Sequence, residues 1–326
     1  MVYRKFGNTE LKVSALGFGA GEIGDYAVSE NDSEKILNTV LDLGINLIDT
    51  ARGYYASEER IGKYVSNRRS EFILSTKVGY GIESYADWSY DIILAGVENA
   101  LRLMNTDYID IVHLHSCDLN TLRRGEVIEA LNKTIEQGKV RVAAYSGENE
   151  ELKFAVDSNS FGSVQTSINI CDQIDLDGSI KLAKEKRMGV IAKRPIANVP
   201  WRFSERPIGH YCEEYWHRWK TMNLPEQENW LDTFLRFTVF ANGVDTAIVG
   251  TTNIEHLKSN IKIIEQGLLD DELNNLIVES FKTNNQKTPC QHFLSHASRV
   301  VSFRHSFCSC HAAPRRNPAP STACAT

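Results

Sequence analysis

Apolar and polar positions along the chain follow two alternating rhythms. Short apolar runs of roughly four to eight residues read as buried strands; they lie at 13–20, 45–49, 72–77, 108–115, 140–146, 163–167, 189–193 and 246–249. Between them the spacing is helical. A helix over about 32–43 carries Ile36, Leu37, Val40 and Leu41, is capped by Asn31 or Asp32, and stops at Gly44. Similar patterns predict helices at 57–65, 90–104, 125–137, 149–157, 178–186, 226–240, 253–265 and 270–282. Ahead of the first run, Phe6-Gly7-Asn8-Thr9 between Tyr3 and Leu11 predicts a β-hairpin with a Gly-Asn turn. The rhythm breaks over 195–225, which holds Pro195, Pro200, Pro207 and Pro225 among many aromatic residues.

Apolar runs without clean polar alternation suit strands covered on both faces, as in parallel sheets. Eight βα units over roughly 280 residues are the size of a TIM barrel. The predicted fold is therefore an α/β (β/α)8 TIM barrel with an N-terminal β-hairpin and extra C-terminal helices, spanning 1–287. A doubly wound open sheet is the competitor, and Gly19-Ala20-Gly21-Glu22-Ile23-Gly24 matches the glycine spacing of a dinucleotide-binding turn. That turn should open a helix, however, and the next helical pattern starts near Asp32.

Composition narrows the function classes. The 326 residues are 42% hydrophobic and 24% charged, as in ordinary globular chains. A net charge of −6 provides no basic footprint for nucleic acid. No apolar run approaches the roughly 18 residues of a membrane span, and the N-terminus lacks the apolar core of a secretory signal; a cytoplasmic location is the expectation. Three cysteines scattered through the body and four crowded into the last 40 residues, without regular spacing, argue against a disulfide framework. From Thr288 onward periodicity vanishes, and 288–326 reads as a disordered tail or non-native extension. Cys308, Cys310 and His311, with Cys290, His292 and His296, have too little around them to make a convincing zinc site, so no metal is expected.

Candidate chemistry gathers at strand ends. Asp49, Lys77 and His115 close the second, third and fourth predicted strands, and Tyr54 lies in the loop after the second. In a TIM barrel those positions share one mouth. A nearby ammonium lowers the pKa of a phenol, which is near 10 when unperturbed. Lys77, held by Asp49, would thus make Tyr54 a general acid toward a developing alkoxide, with His115 orienting the carbonyl. Taken singly, each residue has an equally good structural role: a loop cap, an ion-pair partner, loop packing. Only their conjunction points to carbonyl reduction, for which a hydride donor supplies the other half.

The motifs resemble those of the aldo-keto reductases. Asp49-Thr50-Ala51-Arg52-Gly53-Tyr54 with Glu58, Thr76-Lys77, Asp107-Tyr108-Ile109-Asp110 through His115, and Gly138-Lys139-Val140-Arg141 stand in the family's order, and the spacing selects His115 over His113. The resemblance implies a nicotinamide cofactor lying extended across the barrel mouth. It implies that Gln165 and Ser146 meet the carboxamide, with Asn169 in a Gln-x-x-x-Asn pattern, and that the segment from Gly250 through Thr251, Thr252 and His256 to Asn260 takes the pyrophosphate and adenosine. Backbone amides at a helix N-terminus suit such an anion.

Two departures stand out. Ser146 is followed by Gly147 where the family often has asparagine, and Lys193 and Arg194 replace the aromatic residue that stacks on the nicotinamide. Arg194 or Trp201 is a candidate to cover the ring instead. Family habit leans to NADP. Weak basic character at His256 and Lys258 leaves NAD open.

Substrate contacts are expected from Tyr85, Trp88, Cys117 and the aromatic loop with Trp201, although those aromatics would equally serve to pack the loop. The expected partner is a small aldehyde, ketone or sugar, with no nucleic acid and no membrane; the oligomeric state is not legible. The leading reading is an NAD(P)H-dependent reductase making an alcohol. The alternatives are an NAD-dependent sugar (aldose) dehydrogenase and, from another class, a cofactor-sensing regulatory subunit.

Overall fold

A computed structural model describes residues 1–285. The predicted tail and its cysteine–histidine cluster lie outside the described residues. The chain opens with an antiparallel hairpin of β1 (Tyr3–Lys5) and β2 (Lys12–Ser14), Tyr3 facing Ser14. Then β3 (Leu16–Gly19), α1 (Glu30–Asp42), β4 (Leu47–Asp49), α2 (Ser57–Val65), β5 (Ile73–Val78), α3 (Tyr90–Leu103) and β6 (Ile109–His115) follow. Next come α4 (Leu119–Arg124), α5 (Glu126–Glu136), β7 (Val140–Ser146), α6 (Asn149–Asp157), β8 (Ser163–Ser167), α7 (Lys181–Glu185) and β9 (Gly189–Lys193). The chain continues through α8 (Glu213–Met222), α9 (Trp230–Val239), β10 (Thr246–Val249), α10 (Ile254–Glu265) and α11 (Asp271–Asn285).

Strands β3 to β10 are parallel neighbours in chain order, and β10 pairs with both β9 and β3, closing an eight-stranded barrel. This is the (β/α)8 TIM barrel that the repeating pattern predicts. The strand expected over 13–20 is divided: Ala15, whose N–H donates to the Val2 carbonyl at 2.8 Å, carries the chain from hairpin to barrel. Two caps also move. Ser29, not Asn31 or Asp32, caps α1 by accepting from the Asp32 N–H. At α6 the cap position falls on Glu148, whose side chain is engaged elsewhere, and Asn149 becomes the first helical residue. The aromatic stretch 195–225, expected to be irregular, contains α8; the Asn223 cap with φ of 46° and the following Pro225 are the stop signals that mark it.

Side chains on a strand alternate between faces, so the barrel interior is built in layers. Leu47, Ile73, Ile111, Val142 and Ile191 form an apolar lower layer with Phe6 and Val13 of the hairpin. Phe6 is fully buried, and its ring lies where any side chain at Gly189 would stand, 2.4 Å from a Cβ built there. The hairpin therefore floors the barrel, with Gly7 making the turn at φ of 55°. Two residues further along the same strands are Asp49, Ser75 and His113, with Gln165 beside them, and two further again are Lys77 and His115. Period two thus converts an apolar floor into a polar upper layer. The outward positions, Ile48, Leu74, Val112, Leu114, Val164 and Val190, join the core between barrel and helices.

Candidate active site

The register places the ends of β4, β5 and β6 side by side: Asp49 is opposite Ser75, and Lys77 is opposite His113. Lys77 is buried and its ammonium donates to Asp49 Oδ2 at 2.6 Å and to the Thr50 carbonyl at 2.7 Å. Burial opposes the charge on Lys77, but Asp49 and Tyr54 outweigh it and hold the ammonium above its ordinary value. Its nitrogen lies 5.0 Å from the centroid of the Tyr54 ring. The Tyr54 and His115 rings stand edge to face with centroids 6.1 Å apart. Asp49, Lys77, Tyr54 and His115 are therefore brought together. Tyr55, with φ of 47°, is turned outward against Tyr26.

Asp49 is also held from the other side. Its Oδ1 accepts from Ser75 Oγ at 2.7 Å and from Gln165 Nε2 at 3.0 Å, and Gln165 Oε1 accepts from Ser146 Oγ at 2.9 Å. Ser146 and Gln165 thus lie beside the quartet, linked to it through Asp49. Asn169 is tied to backbone, donating to the Arg194 carbonyl and accepting from the Cys171 N–H. His113 sits one layer lower, its Nε2 3.1 Å from Ser75 Oγ; burial drives it down to about 3, so it is a neutral structural ring. Gly147 has a local cause: a Cβ there would come 2.3 Å from the Tyr145 hydroxyl, which donates to the Cys117 carbonyl. The asparagine common in the family at this place would collide with that bond.

Lys193 and Arg194 converge on Glu148, at 3.0 and 3.2 Å from its Oε1. Burial works against the Glu148 carboxylate, yet the two cations carry it down to about 2. Arg194 also donates to Ser167 Oγ and, at 2.7 Å, to the Tyr211 hydroxyl. Its guanidinium is thus tethered at the mouth by three groups. Trp201 packs on Phe234 of α9 with centroids 4.8 Å apart, the packing role open to an aromatic loop residue. Trp88 stands edge-on to Tyr80 at 5.9 Å and over Gly79, where a Cβ would lie 2.0 Å from the indole.

The opposite side of the mouth is lean in side chains. Gly19 and Gly250 top adjacent strands, and a Cβ on Gly250 would come 3.0 Å from the Gly19 carbonyl. Thr251 is buried, with Oγ1 3.0 Å from His256 Nδ1 and accepting from the Asn253 N–H. Asn253 caps α10 through the Glu255 N–H, and Thr252 leads into that cap. Asn260 is buried with its Oδ1 unpartnered. An orphaned carbonyl oxygen is what a base amino group satisfies, and the glycine-lined helix entrance suits a pyrophosphate. These residues fit an extended dinucleotide. Glu22 flanks Gly250, and burial raises its carboxyl to about 7.

Three residues of the site were not singled out in the sequence. Ser75 lies two residues before Lys77, on the same face. Glu148 follows Ser146-Gly147 directly. Tyr80, between Gly79 and Gly81, places its hydroxyl 2.9 Å from His115 Nδ1. The first was legible from strand alternation; the other two depend on how loops fold back. Among the described residues no three metal-binding side chains converge, and no helix is long and apolar enough to cross a membrane.

The sequence model of the aldo/keto reductase family matches residues 15–281. The chain belongs to this family of oxidoreductases. It is 32% identical to L-galactose dehydrogenase of Arabidopsis thaliana over 60% of its own length, a match spanning 65% of that relative. It is 27% identical to an oxidoreductase of Bacillus subtilis over 82% of this chain and 93% of the other. In structure it resembles an aldo-keto reductase of Bacillus halodurans solved in holo form, with a TM-score of 0.75 at 27% identity, covering 90% of this chain and 99% of that one.

Proposed function

We propose that the protein interconverts a small carbonyl compound and its alcohol with a nicotinamide cofactor, Tyr54 passing the proton. The observation that carries this is Lys77, buried, charged and clamped by Asp49 beside the Tyr54 ring. A bound nicotinamide supplies or accepts the hydride. As charge develops on the carbonyl oxygen, the Tyr54 hydroxyl donates its proton, and the Lys77 ammonium stabilises the phenolate left behind. Asp49, oriented by Ser75 and Gln165, keeps that ammonium in position. His115 remains neutral, since burial, Lys77 and Lys193 all push it well below its ordinary value, and it serves as a hydrogen-bonding group.

Tyr54→Phe is expected to remove at least about a hundredfold of turnover while leaving cofactor affinity within a small factor. Stopped-flow turnover alongside fluorescence titration checks it, and near wild-type turnover would sink the assignment.

A second reading concerns direction and cofactor. The likeness to L-galactose dehydrogenase supports oxidation of an aldose, and the charges around α10 favour NAD. Lys258 is paired with Glu255 at 2.7 Å, and the His256 ring is engaged by Thr251 and Asn253. A 2′-phosphate would meet the Glu255 carboxylate where it needs a free Arg or Lys. Parallel titration with NADH and NADPH decides it: tighter binding of NADPH would reverse the preference, and no binding of either would remove the proposed function.

A further inference from the structure

We propose that Tyr80 is a positioning residue for the reaction proposed above, its hydroxyl fixing His115 as the neutral tautomer that carries its proton on Nε2. The inference rests on that reading of the site, but its structural half stands on local geometry. The Tyr80 Oη and His115 Nδ1 are 2.9 Å apart, and the two rings are nearly parallel, at 26° with centroids 5.5 Å apart. Tyr80 is held there by its neighbours. Trp88 stands edge-on to its ring, and a Cβ on Gly53 would come 3.2 Å from its hydroxyl, so the loop after β4 closes over it.

Two hydrogen-bond directions are open to such a pair: the phenol donates to Nδ1, or an Nδ1–H donates to the phenol oxygen. Three observations choose the first. Burial, with Tyr54 and Asp87, lifts the Tyr80 phenol to about 12, so at working pH it has a proton to give. Among the described residues the hydroxyl makes no other hydrogen bond, so in the reverse arrangement its proton would lack a protein acceptor. A neutral imidazole nitrogen is also a stronger acceptor than a phenol oxygen. With Nδ1 occupied as acceptor, Nε2–H is the ring's one donor. A histidine that orients a carbonyl must be in this form, since Nδ1–H would leave Nε2 as a lone pair facing another lone pair.

The pH consequence has a definite sign. The groups acting on His115 are Lys77 from β5, His113 from its own strand, and Lys193 and Arg194 from the end of β9, all lowering its pKa together with burial; Tyr54 faces it edge-on from the loop after β4. A hydrogen bond to the Nδ1 lone pair exists only in the neutral ring and so works in the same direction. Removing it raises the His115 pKa.

The test has two arms. In the full chain with 15N-labelled histidine, long-range 1H–15N spectra are expected to show His115 with Nδ1 unprotonated and Nε2 protonated, with His115→Asn identifying the signals. This arm needs no Tyr80 variant, and an Nδ1–H tautomer would overturn the proposal even if the enzyme is active. In Tyr80→Phe the two tautomers are expected to mix, kcat/KM to fall about tenfold, and the acid-side loss of kcat/KM to move to higher pH. An equal loss at all pH values with the tautomer unchanged would assign Tyr80 to shape alone and also overturn it. A wild-type chain with the Nε2–H tautomer but no carbonyl turnover would remove the catalytic role by removing the reaction.

Discussion

At the residue scale the site is a set of charges that would be costly if any stood alone. Buried ions are tolerated only when paired, and here the pairing is interlocked: Lys77 with Asp49, and Lys193 and Arg194 with Glu148. Glu148 is the least replaceable of these by physical argument. Its carboxyl is depressed from 4.5 to about 2 in the folded protein. A depressed acid stabilises fully above its unfolded pKa, and that stability is lost as pH falls through the folded pKa. Glu148→Gln should therefore cost about 3 kcal/mol near neutrality, with the gap from wild type narrowing as pH drops below 4.5 toward 2. Urea unfolding at a series of pH values measures it; a gap independent of pH would show that the carboxylate charge is not the source. Much of this scale was open to sequence reading. Asp49, Tyr54, Lys77 and His115 announce themselves by residue type at strand ends. Glu148 did not, because its cationic partners come from the end of β9, more than forty positions later, and only the pairing of β7, β8 and β9 brings them near.

At the element scale the strands are joined by more than their ladders. Asp110 on β6 is buried and accepts from Arg69 at 2.6 Å, from Arg141 on β7 at 2.8 Å and from the Leu74 N–H on β5 at 2.9 Å. One carboxylate thus ties three adjacent strands, the ones that carry Lys77, His115 and Ser146. Replacing it by Ala removes one acceptor from Arg69, which keeps the Phe72 and Tyr108 carbonyls, one from the half-exposed Arg141, and the acceptor of the buried Leu74 N–H. Asp110→Ala is expected to cost about 1–3 kcal/mol, read as a lowered urea midpoint; a loss near zero would mean that the arginines and the Leu74 N–H find other partners. In the sequence Asp110 looked like one member of a family motif, without a stated task. The helices show the converse limit. The spacing of Tyr215, Trp216 and Trp219, with Asn223 and Pro225 after them, was compatible with helix α8, but the prolines and aromatics around it masked the period.

At the scale of the whole molecule, the barrel brings the two ends of the proposed ligand path under a single closed sheet. The buried polar layer stands on β4 to β6, while Gly19 and Gly250 stand where β3 meets β10, followed by Thr251 and, in α10, Asn260. A dinucleotide spanning both would bind the folded barrel and not the unfolded chain. Saturating cofactor at about a hundred times its Kd should add about 2.7 kcal/mol of stability, seen as a rise of the thermal midpoint. NAD should produce the larger rise at equal concentration, if Glu255 repels a 2′-phosphate. Identical midpoints with and without either dinucleotide would argue against the spanning path.

The sequence by itself determined the eightfold repeat, the apolar-to-polar progression along each strand and the identities of the four central residues. It could do so because period and residue type are local properties of a chain. Only the tertiary structure decided which carboxylate meets which cation, why residue 147 must be glycine, which histidine nitrogen meets Tyr80, and that Trp201 packs on α9. Those outcomes depend on loops and strand ends separated along the chain, and their distances are set by the pairing of neighbouring strands and by how the loops pack above them.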